Sequence, residues 1–71
     1  MELIINGEKV KCDDGLSVIG LLTDQTVKMP DMVSVELNNE ILRRDTFDKT
    51  ILNEGDKVEF LYFMGGGSGT N

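Results

Sequence analysis

Few residues in this chain are able to make or break bonds. Cys12 is the single cysteine, and histidine and tryptophan are absent. Without histidine there is no Ser-His-Asp triad, no Cys-His pair and no imidazole-ligated zinc. One cysteine excludes an internal disulfide and every CxxC arrangement, so the fold must hold without covalent staples, as a reducing compartment demands. Cys12 would suit a persulfide relay, but its alternation with Val10 points it inward, where a lone cysteine is more often a small buried hydrophobe. Asp13-Asp14 and the Glu54-Gly55-Asp56 stretch are turn sequences that lack the alternating ligands of a calcium loop. Arg43-Arg44 is a lone basic pair in an acidic chain and reads as a surface feature rather than a nucleic-acid site. No side chain is assigned a catalytic role, and no metal or cofactor is expected on the chain itself.

The remaining feature with chemical consequences is the glycine run Gly65-Gly66-Gly67, which directly follows a strongly apolar stretch. Lacking Cβ atoms, such a segment passes where side chains would clash and lies flat against a partner's peptide groups. Fully extended, three residues reach about 10 Å, enough to carry a carboxylate into another protein's active site. The same composition also suits a frayed terminus or a Gly/Ser linker. A phosphate-cradling loop is excluded, because neither GxxxxGK[ST] nor GxGxxG leads into a helix here.

The elements that must position this tail follow from periodicity. Met1 to Ile5 alternates, with Leu3 and Ile5 on one face and Ile4 on the other. Asn6-Gly7 is a hairpin turn, and Glu8 to Cys12 returns with Val10 and Cys12 inward. After Asp13-Asp14-Gly15, Ser17 is placed to cap a short helix over about residues 18–26, with Leu16 and Leu21 as a hydrophobic staple and Val18, Leu21 and Leu22 as its buried stripe. Gly20 prevents a full capping box. Pro30 stops any continuation of the helix. Val33 to Leu37 is a strand, Asn38-Asn39 a turn, and Glu40-Ile41-Leu42 a short returning strand. Arg43 to Asn53 has no sustained period, and Phe47, Ile51 and Leu52 are expected to anchor it against the core. Lys57 to Met64 is the most apolar strand. Its two faces both carry apolar side chains, which suits a central position.

The chain has 71 residues, room for one domain with a thin core and no large interior cofactor. Surface scaling for this size gives roughly 60% of the unfolded surface buried. A net charge of −6 argues against duplex DNA or an anionic membrane and favours a basic partner surface. There is no N-terminal signal pattern and no apolar run of about eighteen residues, so a cytoplasmic protein is expected. One helix covering one face of a mixed sheet of four to five strands is an α+β architecture. Residues 1–64 are expected to form this domain and 65–71 a flexible glycine-rich tail. Ile4, Leu61 and Phe63 would form a docking stripe on the sheet face away from the helix, beside the tail, with Met64 as a further docking residue.

Several of these stretches together resemble the ThiS family of sulfur carriers in thiamine biosynthesis. They are the Asn6-Gly7 hairpin, the Leu16-Ser17-Val18 helix start, Val35 to Ile41, Arg44, Phe47, Leu52 to Asp56 and the run from Val58 to Gly67. The resemblance spans residues 1–67 without a gap. It implies a β-grasp, ubiquitin-like fold with the first and last strands parallel at the sheet centre. It implies further that Gly67, preceded by Gly65 and Gly66, is the glycine whose carboxylate is adenylated and then converted to a thiocarboxylate. The implied partners are a ThiF-like adenylating enzyme that carries ATP and Mg, a persulfide sulfur donor and a ThiG-like thiazole synthase. Ser68 to Asn71 depart from the pattern, since they leave Gly67 with an amide carbonyl in place of a free carboxylate. They are either a precursor extension removed by a metallopeptidase or a vector-derived addition, and the active form is expected to end at Gly67. The small subunit of molybdopterin synthase, a carrier for cysteine or homocysteine metabolism, and a ubiquitin-like modifier or interaction module are the alternatives.

Overall fold

Asn6 and Gly7 adopt φ values of 50° and 85°, the left-handed conformation that a two-residue hairpin turn requires. They join β1 (Glu2–Ile5) to β2 (Glu8–Lys11) in an antiparallel pair with Leu3 opposite Val10. This geometry comes from a computed structural model that describes residues 1–25 and 31–62. Alternation places Leu3 and Ile5 in the core at 0% and 5% exposure, while Ile4 on the other face is half-buried.

Helix α1 (Val18–Asp24) starts at Ser17, whose Oγ accepts from the Gly20 N–H at 3.1 Å. Gly20 makes a poor helix residue, and the packing accounts for it. A Cβ there would stand 2.9 Å from Leu16 Cδ1, the side chain that covers the first turn. Val18, Leu21 and Leu22 are buried on one face of the helix. The helix closes at Gln25, whose N–H donates to the Leu21 carbonyl. The expected extension to residue 26 and the Pro30 stop lie outside the described residues.

The second half supplies β3 (Val33–Leu37), β4 (Glu40–Ile41), a 3₁₀ turn (Arg44–Thr46) and β5 (Lys57–Tyr62). Asn38 and Asn39, with φ of 51° and 73°, turn β3 into β4. The sheet order is β2-β1-β5-β3-β4, with β1 and β5 parallel and the other pairs antiparallel. The strand with apolar residues on both faces is therefore central, and among the described residues one α-helix on a five-stranded mixed sheet makes the α+β fold expected. Leu3, Val18, Leu21, Val33, Val35, Leu52 and Val58 are almost fully enclosed.

One packing expectation fails. Phe47 and Leu52 do anchor the irregular stretch, at 3% and 2% exposure, but Ile51 is 50% exposed. Ile51 forms a β-bridge with Ser17, and the local extended backbone alternates Leu52 inward and Ile51 outward. Among the described residues, no helix is long and apolar enough to cross a membrane.

Candidate functional site

The glycine run is reached through β5, and two turns hold the start of that strand in place. Asn38 Nδ2 donates to Asp56 Oδ1 at 3.1 Å, and the Lys57 N–H donates to Asn38 Oδ1 at 3.0 Å. Asp56 Oδ2 also accepts from the Asn53 N–H at 2.8 Å, and Glu54 Oε1 accepts from the Glu2 N–H at 2.9 Å. These acids are thus committed to turns. Among the described residues no three potential metal-ligating side chains converge.

Along its β3 side, β5 is paired from Val58, opposite Leu37, to Tyr62, opposite Val33. On its β1 side the register covers Ile4 with Lys57 and Ile5 with Val58. Past that point β1 has turned into the hairpin, and the Phe60 N–H donates to Asn6 Oδ1 at 2.9 Å. The pattern of residues gave no signal for this last contact. Asn6 was legible as a turn residue, and glycine or aspartate would also have met the turn's demand.

Of the proposed docking residues, Ile4 and Leu61 are both half-buried and share the face away from the helix. They are not side by side. Ile4 is level with Lys57, so Leu61 lies four residues further along, roughly 13 Å away, with Glu59 between them on that face. Leu61 is flanked by Ser34 on β3. It is outside the group of side chains packed on the core. Phe63, Met64, Gly65, Gly66 and Gly67 lie outside the described residues.

Cys12 follows the end of β2, where its N–H donates to the Met1 carbonyl at 2.8 Å. It is half-buried and packs against the core, beside a shallow recess lined by Lys11, Asp13 and Asp24. Burial pushes its thiol pKa up, and the Asp24 and Asp13 carboxylates add to the rise. A thiol so placed is a poor nucleophile at neutral pH. Its location also separates it from the tail. Because β5 runs parallel to β1, Tyr62 is at the opposite end of the sheet from Met1 and Cys12, about 25 Å along the strands. The five residues from Tyr62 to Gly67 span at most about 18 Å, so Gly67 cannot reach Cys12 of its own chain.

The basic pair is engaged locally. Arg43 Nε and Nη2 donate to the two Asp45 carboxylate oxygens at 3.2 and 3.0 Å. Arg44 donates to the Val33 carbonyl and lies over the Phe47 ring, 5.3 Å from its centroid.

Comparison with known proteins gives a consistent picture. The model of the ThiS family matches residues 3–67. The crystal structure of thiamine biosynthesis protein ThiS from Geobacter metallireducens is 48% identical, with a TM-score of 0.87, covering 94% of this chain and 100% of that one. The solution structure of a thiamine biosynthesis protein from the same organism is 47% identical, with a TM-score of 0.76, over 96% of this chain and 90% of that one. A thiazole synthase of Paramagnetospirillum magneticum is 38% identical over 96% of this chain, which amounts to 21% of its own length. A second thiazole synthase, from Magnetococcus marinus, is 34% identical over 94% of this chain and 20% of its own length. The chain therefore spans about a fifth of the length of these two relatives.

Proposed function

The chain belongs to the ThiS family, and from that premise we propose that it is a sulfur carrier of thiamine biosynthesis whose reactive group is the carboxyl of Gly67. The carrying observation is that the family match spans residues 3–67 and so ends at Gly67, within the glycine run that follows β5. A carboxylate is a poor electrophile until it is converted to a mixed anhydride. In the proposed sequence a Gly67 carboxylate oxygen attacks the α-phosphorus of ATP and pyrophosphate leaves, giving an acyl adenylate. The terminal sulfur of a persulfide then attacks the acyl carbon and AMP leaves. A thiol reductant cleaves the resulting acyl disulfide to release a thiocarboxylate, a good sulfur nucleophile at neutral pH. ATP and Mg belong to the activating enzyme, and the carrier contributes position.

Within this reading the domain holds the tail, residues 63–67 enter the partner's cleft, and Gly65 and Gly66 let the backbone pass through a narrow opening. The acceptor is a thiazole synthase. Support comes from the two thiazole synthases that include a segment similar to nearly the whole of this chain. Ser68 to Asn71 must be removed first, by hydrolysis of the Gly67–Ser68 peptide bond, because an amide carbonyl offers no carboxylate to adenylate.

The test is mass spectrometry of the chain after incubation with the adenylating enzyme, ATP, Mg and a persulfide donor. The form ending at Gly67 should gain about 16 Da as sulfur replaces oxygen, and the 71-residue form should not change. An intact 71-residue chain that gains sulfur would overturn the scheme, and an isopeptide adduct would identify a modifier instead.

A further inference from the structure

Asn6 occupies a position that its turn role does not explain. In the parallel β1–β5 ladder the Ile4 N–H donates to the Asp56 carbonyl and the Asn6 N–H to the Val58 carbonyl, both at 2.9 Å. In a ladder that continued, the Phe60 N–H would donate to the backbone carbonyl of Asn6. At Asn6, however, φ is 50° and the backbone turns away into the hairpin. The side-chain Oδ1 accepts from the Phe60 N–H instead, at 2.9 Å. The carboxamide thus replaces a backbone acceptor at the point where β5 loses β1 as its neighbour. Glycine would meet the φ requirement with less strain but leave Phe60 without this acceptor. Asparagine and aspartate combine tolerance of this conformation with a carbonyl-type acceptor at the right length.

We propose that Asn6 is a positioning residue for the tail: its carboxamide adds one rung to the β1–β5 ladder and fixes the direction in which β5 delivers residues 63–67 to an activating enzyme. The role rests on the carrier reading above. Residues 63–67 depart from the end of β5, so loosening of the strand at Phe60 widens the range of directions from which they start. Reacting atoms must approach to about 3–3.5 Å, so such freedom lowers the fraction of encounters that place the carboxylate correctly.

Asn6→Gly removes the acceptor and keeps the turn, while Asn6→Asp keeps both. Amide exchange is read by NMR on the full chain. Activation is read on the form ending at Gly67, after its amide spectrum is shown to match the full chain through residues 1–62. In Asn6→Gly, Phe60 exchange should accelerate about three- to tenfold, the range of one hydrogen bond, while Glu59 and Leu61, whose amides face β3, keep their protection. The carrier's kcat/KM for adenylation should fall by a similar factor with the KM for ATP unchanged, and Asn6→Asp should restore both readouts. Unchanged Phe60 exchange in Asn6→Gly overturns the proposal. So does unchanged kcat/KM alongside accelerated exchange, or failure of Asn6→Asp to restore it. If the unsubstituted chain is not adenylated while the exchange contrast is present, the carrier reading falls and the positioning role with it. An active unsubstituted chain with an equally active Asn6→Gly overturns the positioning role alone.

Discussion

Cys12 and the Met1 amine sit side by side, and both hold their protons more tightly in the folded chain. The Met1 amine pairs with Asp14 Oδ1 at 2.9 Å and donates to the Cys12 carbonyl at 2.7 Å. Asp14 raises its pKa most, and burial opposes the rise. Burial raises the Cys12 thiol. Below about pH 7 both groups are protonated in the folded and unfolded chains, so neither contributes a pH dependence there and the Met1–Asp14 contact is fully present. As pH climbs through the ordinary values toward the folded ones, the unfolded chain releases protons that the folded chain keeps, and stability falls. Melting temperatures measured from pH 7 to 9.5 should therefore decline. Asp14→Asn and Cys12→Ala should each flatten the decline, and parallel curves for all three proteins would refute this assignment. On the proposed carrier reading, a raised thiol at the far end of the sheet from Tyr62 predicts that Cys12 is dispensable for sulfur transfer. Cys12→Ala should form thiocarboxylate at a rate within about twofold of the unsubstituted chain, and loss of the mass gain would restore the relay role.

The segments whose patterns matched one local rule were readable in advance. Asn6-Gly7 specified its hairpin through the left-handed demand of the turn. Val33 to Leu37 specified its strand by alternation, and Ser17 its cap by the N–H it could accept. Ile51 was misplaced because its direction depends on pairing with Ser17, a contact distant in sequence that no local period encodes. The Asn6–Phe60 bond was missed for the same reason, since it joins residues 54 apart. The apolar character of β5 on both faces was read correctly as centrality, and alternation put Leu61 on the face away from the helix. The register places Leu61 on that face, beside Ser34. Leu61→Asp should weaken binding to the adenylating enzyme about tenfold or more while lowering the melting temperature little. Leu3→Ala, at a fully buried position, should instead cost about 2–5 kcal/mol and unfold much of the protein, because a domain this small is held by roughly 3–5 kcal/mol. A large melting-temperature loss for Leu61→Asp would place Leu61 in the core and remove the docking stripe.

On the proposed carrier reading, the chain as a whole is captured and released by successive partners. Tight apolar association would slow release. Long-range attraction accelerates capture without the same effect on departure. The net charge of −6 supplies such a field, and the face that includes Leu61 presents Lys57, Glu59 and Glu36 rather than a uniform apolar surface. A partner that is electropositive around its docking cleft would draw the carrier in, and its basic groups would also favour the tail carboxylate and the developing charge of the adenylate. Raising salt from about 0.05 to 0.5 M shortens the screening length from roughly 14 Å to 4 Å. Stopped-flow association of the Gly67-terminated chain with the adenylating enzyme should then slow by about tenfold, while the dissociation rate changes less than about twofold. Replacing Glu36 and Glu59 by glutamine should reduce the association rate at low salt and flatten its salt dependence, with the thiocarboxylate yield at saturating carrier unchanged. If association is equally fast at both salt concentrations, the partner's cleft is not basic, and the acidity of the chain serves solubility rather than recognition.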